Sequence, residues 1–123
     1  MSTLNVSNIS DGTTTVGTSY VVNGSAKAWV NFNGTGTIAT RDSFNVASLT
    51  DNATGDSTIN FTANMGNSNY NATTIPRINA SIKGTVATFH AALNIRVQSR
   101  AGSVSGTLTD SDYNCYTIHG DLA

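Results

Sequence analysis

Hydrophobic and polar residues alternate with a period of two wherever the chain carries enough large apolar side chains to read. Phe44 and Val46 alternate with Ser43 and Asn45, and Ile59, Phe61 and Ala63 alternate with Thr58, Asn60 and Thr62. Leu93, Ile95 and Val97 alternate with Asn94, Arg96 and Gln98, and near the end Tyr116 and Ile118 oppose Tyr113, Cys115 and Thr117. Successive side chains of a strand point to opposite faces, so this pattern predicts half-buried strands. Between the runs stand clusters with Asn, Asp and Gly, at 23–24, 33–36, 54–56, 65–67, 83–84, 101–102 and at Gly106. These residue types tolerate the positive φ angles of hairpin turns.

The strands expected are 26–33, 37–49, 57–63, 69–75, 86–98, 103–109 and 113–119. The clearest hairpin joins 43–50 to 57–63 through 51–56. The stretch 86–97 contains Ala91, Ala92 and Leu93 and resembles a helix in composition. Its β-branched ends and its final alternation predict one long strand instead, bulged near Ala91 and Ala92. Pro76 marks a loop or a strand edge. Short strands at this spacing predict an all-β fold, an antiparallel β-sandwich that is jelly-roll-like or related.

Residues 1–25 read differently from 26–123. Leu4, Val6 and Ile9 alternate weakly, and 11–17 holds almost no apolar content. Such a segment buries too little surface to fold alone. It is a disordered tail or an extended arm; Leu4, Val6, Ile9, Val16 and Tyr20 favour the arm, for anchoring or trimerisation. The domains expected are this arm and a β-sandwich domain over 26–123.

Composition sharpens the fold. Thr (19), Asn (15), Ser (14) and Gly (11) make up nearly half of the 123 residues, while Glu is absent and Lys occurs only twice. The best polar helix formers are therefore missing, and long surface helices are not expected. A 38% hydrophobic content, much of it Ala, leaves a small core and points to support from other copies. The net charge is -1 and the six basic residues form no cluster, so no nucleic-acid partner is expected. No apolar run is long enough to insert in a membrane, and 1–6 lacks the features of a secretory signal. Cys115 is the single cysteine, so packing alone must hold the fold.

Candidate chemistry is sparse. His90 and His119 have no nucleophile motif beside them, and polar surface or interface roles suit them better than acid–base catalysis. Asp110, Asp112 and Asn114 sit at the first three ligand positions of an EF-hand loop, with Asp121 at the twelfth. Cys115 replaces the required Gly at the sixth, which favours a turn into the last strand over an ion site. Cys115 has no basic or redox partner nearby in sequence, and Asp42 and Asp56 suit turn or surface hydrogen bonds. The aromatic residues fall mostly in strand patterns and suit core packing; Trp29 and Tyr70 are the candidate contact aromatics. No catalytic residue, metal or cofactor is expected.

One block is specific enough to carry a resemblance. The string Ala26-Lys-Ala-Trp-Val-Asn-Phe-Asn-Gly-Thr-Gly-Thr-Ile-Ala39 is followed by Arg41-Asp-Ser-Phe-Asn-Val46, Leu49-Thr-Asp-Asn-Ala-Thr-Gly-Asp56, Thr58-Ile-Asn-Phe-Thr62 and Asn69-Tyr70. It resembles the small β-rich domain of tail-fibre and virion appendage proteins of tailed bacteriophages, including phages of cyanobacteria and marine bacteria. Ser57 departs from that pattern where an aromatic is expected, and 76–112 has no counterpart in it. The resemblance implies a non-enzymatic β-rich homotrimer on a virion, in a short tail fibre or host-attachment component. Its partners would be itself, other virion proteins, and a host surface glycan or protein receptor. The alternative is a capsid decoration or head-fibre protein, and either would lie on the tail or capsid exterior. A glycan-cleaving enzyme is the rival from another class, disfavoured by the absence of Glu.

Overall fold

The computed structural model describes residues 1–78, 81–82, 84–103 and 105–123. The chain opens with a hairpin, β1 (Asn8–Ser10) and β2 (Thr15–Gly17), and one short helix, α1 (Thr18–Gly24). The strands β3 (Ala28–Asn33), β4 (Ala39–Phe44), β5 (Val46–Ala53) and β6 (Asp56–Phe61) follow. After them come β7 (Asn71–Ile78), β8 (Ser81–Ile82), β9 (Gly84–Ala91), β10 (Asn94–Arg100) and β11 (Tyr113–His119).

Two antiparallel sheets pack face to face, one ordered β5-β6-β10-β9 and the other β4-β3-β11-β7-β8. The all-β sandwich expected from the alternation is therefore the observed fold. Its topology is simple: β3–β4, β5–β6, β7–β8 and β9–β10 are hairpins within one sheet, and each link between hairpins crosses to the other sheet. β11 then inserts between β3 and β7, with Tyr116 opposite Val30 on one side and Thr74 on the other.

The inner faces form the core. Ala28, Val30, Phe32, Tyr116 and Ile118 come from the five-stranded sheet, and Ile59, Phe61, Ile95 and Val97 from the other; all are buried. The rings of Phe32 and Tyr116 stack 6.1 Å apart at 16°. Met65 and Tyr70 close the ends of this cluster. Tyr70 meets Phe61 edge-on at 5.9 Å, and His90 at 4.9 Å.

Several strand expectations change. The single strand over 37–49 breaks at Asn45, which adopts φ 56 and sends β4 and β5 into different sheets. Asparagine tolerates this left-handed conformation, and here the side chain also fastens the corner. Asn45 Nδ2 donates to Lys27 O (2.9 Å) and Ala63 O (3.1 Å), while Asn45 Oδ1 accepts from Ala63 N (2.7 Å). The long strand over 86–98 is a hairpin turning after Ala91, and its register shift falls between Arg96 and Val97 rather than at Ala91 and Ala92. The expected strand 103–109 is largely a loop; Gly102 adopts φ 73, Gly106 N–H closes a turn on Ser103 O, and Leu108 makes only an isolated bridge to Arg100. Residue 104 of that stretch lies outside the described residues, as do 79, 80 and 83. Pro76 sits inside β7 opposite Asn114 rather than in a loop, and the described residues of β8 pair with Arg77 and Ile78.

The β5–β6 hairpin closes more tightly than the sequence suggests, with Ala53 opposite Asp56 around Thr54 and Gly55. Gly55 adopts φ 66, its N–H donates to Asp110 Oδ1 (2.6 Å), and its carbonyl accepts from Ser99 N (2.8 Å). A methyl group there would stand 2.4 Å from Thr109 N and 2.7 Å from Ser99 O, both backbone atoms. Gly36 has a similar φ of 63 but nothing within 4 Å of that position. Gly36→Ala should therefore cost about 1 kcal/mol, the left-handed penalty alone, and Gly55→Ala about 3 kcal/mol or more. Urea unfolding of the two variants checks this; equal losses would contradict it.

Candidate binding surfaces

The arm is the first surface. None of residues 1–25 is buried; Gly17 and Thr18 are half-buried and the rest are exposed. The sequence-predicted residues Leu4 (81% exposed), Val6 (40%), Ile9 (45%) and Tyr20 (76%) all face solvent, as do Val21 and Val22 on α1. The arm has local order nonetheless. Ile9 pairs with Val16, Thr18 N–H donates to Ser7 O (2.9 Å), and Asp11 Oδ1 caps the hairpin by accepting from Thr13 N and Thr14 N. Those amides, Thr14 first, lower the Asp11 carboxyl below the usual carboxylate range. Lys27, buried at the foot of β3, ties the arm to the sandwich. Its ammonium donates to Val22 O, to Ser25 O (3.0 Å) and to Ser25 Oγ (2.9 Å).

The outer face of the five-stranded sheet is the second surface. Cross-strand register sets Phe44, Trp29, Thr117 and Thr73 in one row, and Asp42, Asn31, Cys115 and Ile75 in the next. Ile75 is 73% exposed and Phe44 55%, while Trp29 and Cys115 are half-buried. Tyr113 lies at the end of the face, with the Arg41 guanidinium 4.1 Å above its ring centroid. Arg41 stands where the register shifts between Asn31 and Phe32, and its Nη1 also donates to Asn31 Oδ1 at 3.4 Å. A bulge re-aims a side chain in this way. The result is a patch of exposed aromatic and aliphatic side chains, which on a folded protein marks an interaction surface.

The outer face of the four-stranded sheet is polar along β5 and β6, with Phe89 of β9 exposed opposite Arg96. Ser48 and Thr50 of β5 oppose Asn60 and Thr58 of β6, Asn52 stands at the register shift between Asp51 and Ala53, and Asn60 Nδ2 donates to Ser48 Oγ and Thr50 Oγ1, both at 3.1 Å. At its end Asp56 is buried, and Arg96 grips it with two hydrogen bonds of 2.8 Å. Gln98 Nε2 (2.7 Å) and Asn52 Nδ2 (3.0 Å) complete its shell, and Arg100 Nη2 extends the chain to Gln98 Oε1 (2.6 Å). The Arg96 hydrogen bonds, aided by Gln98 and Asn52, outweigh burial and hold the Asp56 carboxyl at about 2. Sequence reasoning assigned Asp56 to an ordinary turn or surface contact and missed Arg96. The two are 40 positions apart, and only the β6–β10 pairing, Thr58 opposite Arg96, joins them.

Other sequence-predicted residues take structural places. Tyr70, expected as a contact aromatic, is buried, and its hydroxyl donates to Ala91 O (3.2 Å) and Asn94 O (3.0 Å). Burial pushes its phenol up to about 12. Trp29, its companion in that expectation, does lie on an outer face. Asp110 is drawn to Gly55 N–H, while Asn114 accepts from Ser99 Oγ (2.9 Å) and donates to Ser111 O (2.8 Å). Asp112 directs one buried carboxylate oxygen, Oδ1, at no hydrogen-bond partner among the described residues. Among the described residues no group of three or more His, Cys, Asp or Glu side chains is placed to hold a metal ion, and no helix is long and apolar enough to cross a membrane.

Comparison of the chain with protein-family models, curated proteins and solved structures finds no match.

The Asp56 cluster has a pH signature. A carboxyl lowered from its unfolded value near 4 to about 2 stabilises the fold above pH 4, and that stabilisation is lost as pH falls through about 2. Because half of Arg96 is exposed, the contribution is about 1–2 kcal/mol, less than the shift alone implies. Asp56→Asn should be less stable at pH 6 and show a flatter decline of melting temperature between pH 4 and 2. An unchanged decline would contradict this origin.

Proposed function

We propose that this chain is a structural protein of a bacteriophage virion, in a short tail fibre or another host-attachment component, acting as a homotrimer without enzymatic activity. The observation that carries the proposal is an all-β sandwich joined to an ordered arm of 25 residues that contributes no buried residue. A segment that folds locally yet leaves Leu4, Ile9 and Tyr20 in water is suited to pack against something else. Sequence supports the same reading. The block Ala26–Ala39 that resembles phage appendage domains forms β3 and the turn into β4, and so supplies Val30 and Phe32 to the core and Trp29 to the outer face.

Three of the seven acids also support a non-enzymatic role. Asp56 spends its carboxylate on Arg96, Gln98 and Asn52, Asp110 on Gly55, and Asp11 on its own turn. A general acid or base instead needs a carboxyl tuned toward neutral pH and open to substrate. Low charge and abundant Thr and Asn suit a chain held within an assembly rather than kept soluble by repulsion.

The test is location. Immunogold microscopy with antibody to this chain, on purified tailed particles that contain it, should place gold on the tail. Gold on the capsid would select a decoration or head-fibre role instead. Absence of the chain from purified particles, with the protein recovered only from cell lysate, would contradict both.

A further inference from the structure

We propose that the arm of one copy lies across the outer face of the five-stranded sheet of a second copy, with 1–7 crossing the patch formed by Phe44, Trp29, Cys115, Ile75 and Tyr113. This rests on the self-association in the function proposed above and names the two surfaces that meet. Both surfaces carry large exposed apolar side chains. The arm presents Leu4, Val6, Ile9 and Tyr20 with nothing packed over them, and the sheet face presents Ile75 and Phe44 in the same condition.

Size decides between the face acting alone and the face acting with an arm. Five strands spaced about 4.8 Å apart, each six to eight residues long over most of the sheet, give a face about 20 Å on a side, or roughly 400–500 Å². A stable interface needs about 800 Å² and 20–30 residues on each partner, so two such faces meeting directly fall short. Residues 1–7 cover that face, and Ile9, Tyr20, Val21 and Val22 of the same arm, exposed as well, enlarge the contact beyond it. Reach agrees as well. Residues 1–7 precede the β1–β2 hairpin and have no strand partner, and seven extended residues span at most about 25 Å, enough to cross the face from edge to edge.

Charge and edges point the same way. Asp11 is the arm's only charged side chain, and it already accepts two backbone N–H groups, so docking the arm strips little charge of water. Edge-to-edge pairing is the competing mode, and both β4 and β5 carry register shifts that interrupt a long regular edge. When each arm is given to the next copy, the contact is head-to-tail and forms a ring where the rotation between copies closes, whereas a mutual exchange closes as a dimer.

Cys115, at the centre of the face, is the built-in reporter. Full-length Val6→Cys and Leu4→Cys chains, mixed as heavy-isotope and normal copies, are oxidised with copper–phenanthroline and the disulfide-linked peptides are read by mass spectrometry. The expected result is a disulfide from position 4 or 6 to Cys115 with mixed isotope labels, reduced at least fivefold when Ile75→Lys is added. Ile75 is exposed, so that substitution leaves the core intact, and circular dichroism of the variant verifies its fold. A link within one copy, an associated chain with no such link, or a link indifferent to Ile75→Lys would overturn the inference. A mixed-label link in a protein absent from virions would keep the inference and remove the virion role.

Discussion

Phe32 and Tyr116 lie nearly parallel on neighbouring strands of one sheet, and Ile59, Phe61, Ile95 and Val97 of the other sheet belong to the same buried cluster. A chain with few large apolar residues can form only one such contact between sheets, and the rest of the molecule is arranged around it. Each hairpin must hand the chain to the opposite sheet without losing register, because a slip of one residue would turn the whole apolar set outward. Asn45 makes one of those transfers by combining a left-handed backbone with three side-chain hydrogen bonds. Gly55 secures the far end of the β5–β6 hairpin, where only a hydrogen atom fits against the backbone of Ser99 and Thr109.

Most of the core was legible from period two alone. Ile59 and Phe61, Ile95 and Val97, and Tyr116 and Ile118 are buried in the alternation the sequence displays, because each strand has one wet face and one dry face. Breaks within the runs were less legible. Alternation continues through Asn45 although the chain there changes sheets, since a corner residue can preserve the pattern while its φ changes sign. Ala91, Ala92 and Leu93 conceal a turn because they contain no Gly, Asn, Asp or Pro before Asn94. Residues 103–109 erred the other way: scattered Val and Leu look strand-like, but Gly102 and Gly106 fold the segment on itself.

The surfaces were legible in a different proportion. The arm stood out because its composition departs from the rest, and the structure leaves its apolar residues exposed. Trp29 is one of two candidate contact aromatics, and its half-buried side chain lies on an outer face. Tyr70 is the other, yet its place after β6 carries it into the core against Phe61 and His90. The Asp56–Arg96 pair and the Phe44–Trp29 and Cys115–Ile75 rows depend on strand order, a property that local sequence does not contain.

Together these features set a buried apolar cluster that closes the sandwich apart from two exposed sets, one on the arm and one on the five-stranded sheet, with Phe89, Leu93 and Leu122 exposed elsewhere. The account holds that the two exposed sets are halves of a contact between copies. Sedimentation equilibrium of the full chain over a hundredfold concentration range tests that claim most directly. The account predicts a mass near three times the 12.8 kDa of one chain, decreasing toward the single-chain mass on dilution. A mass of 12.8 kDa at every concentration would contradict it.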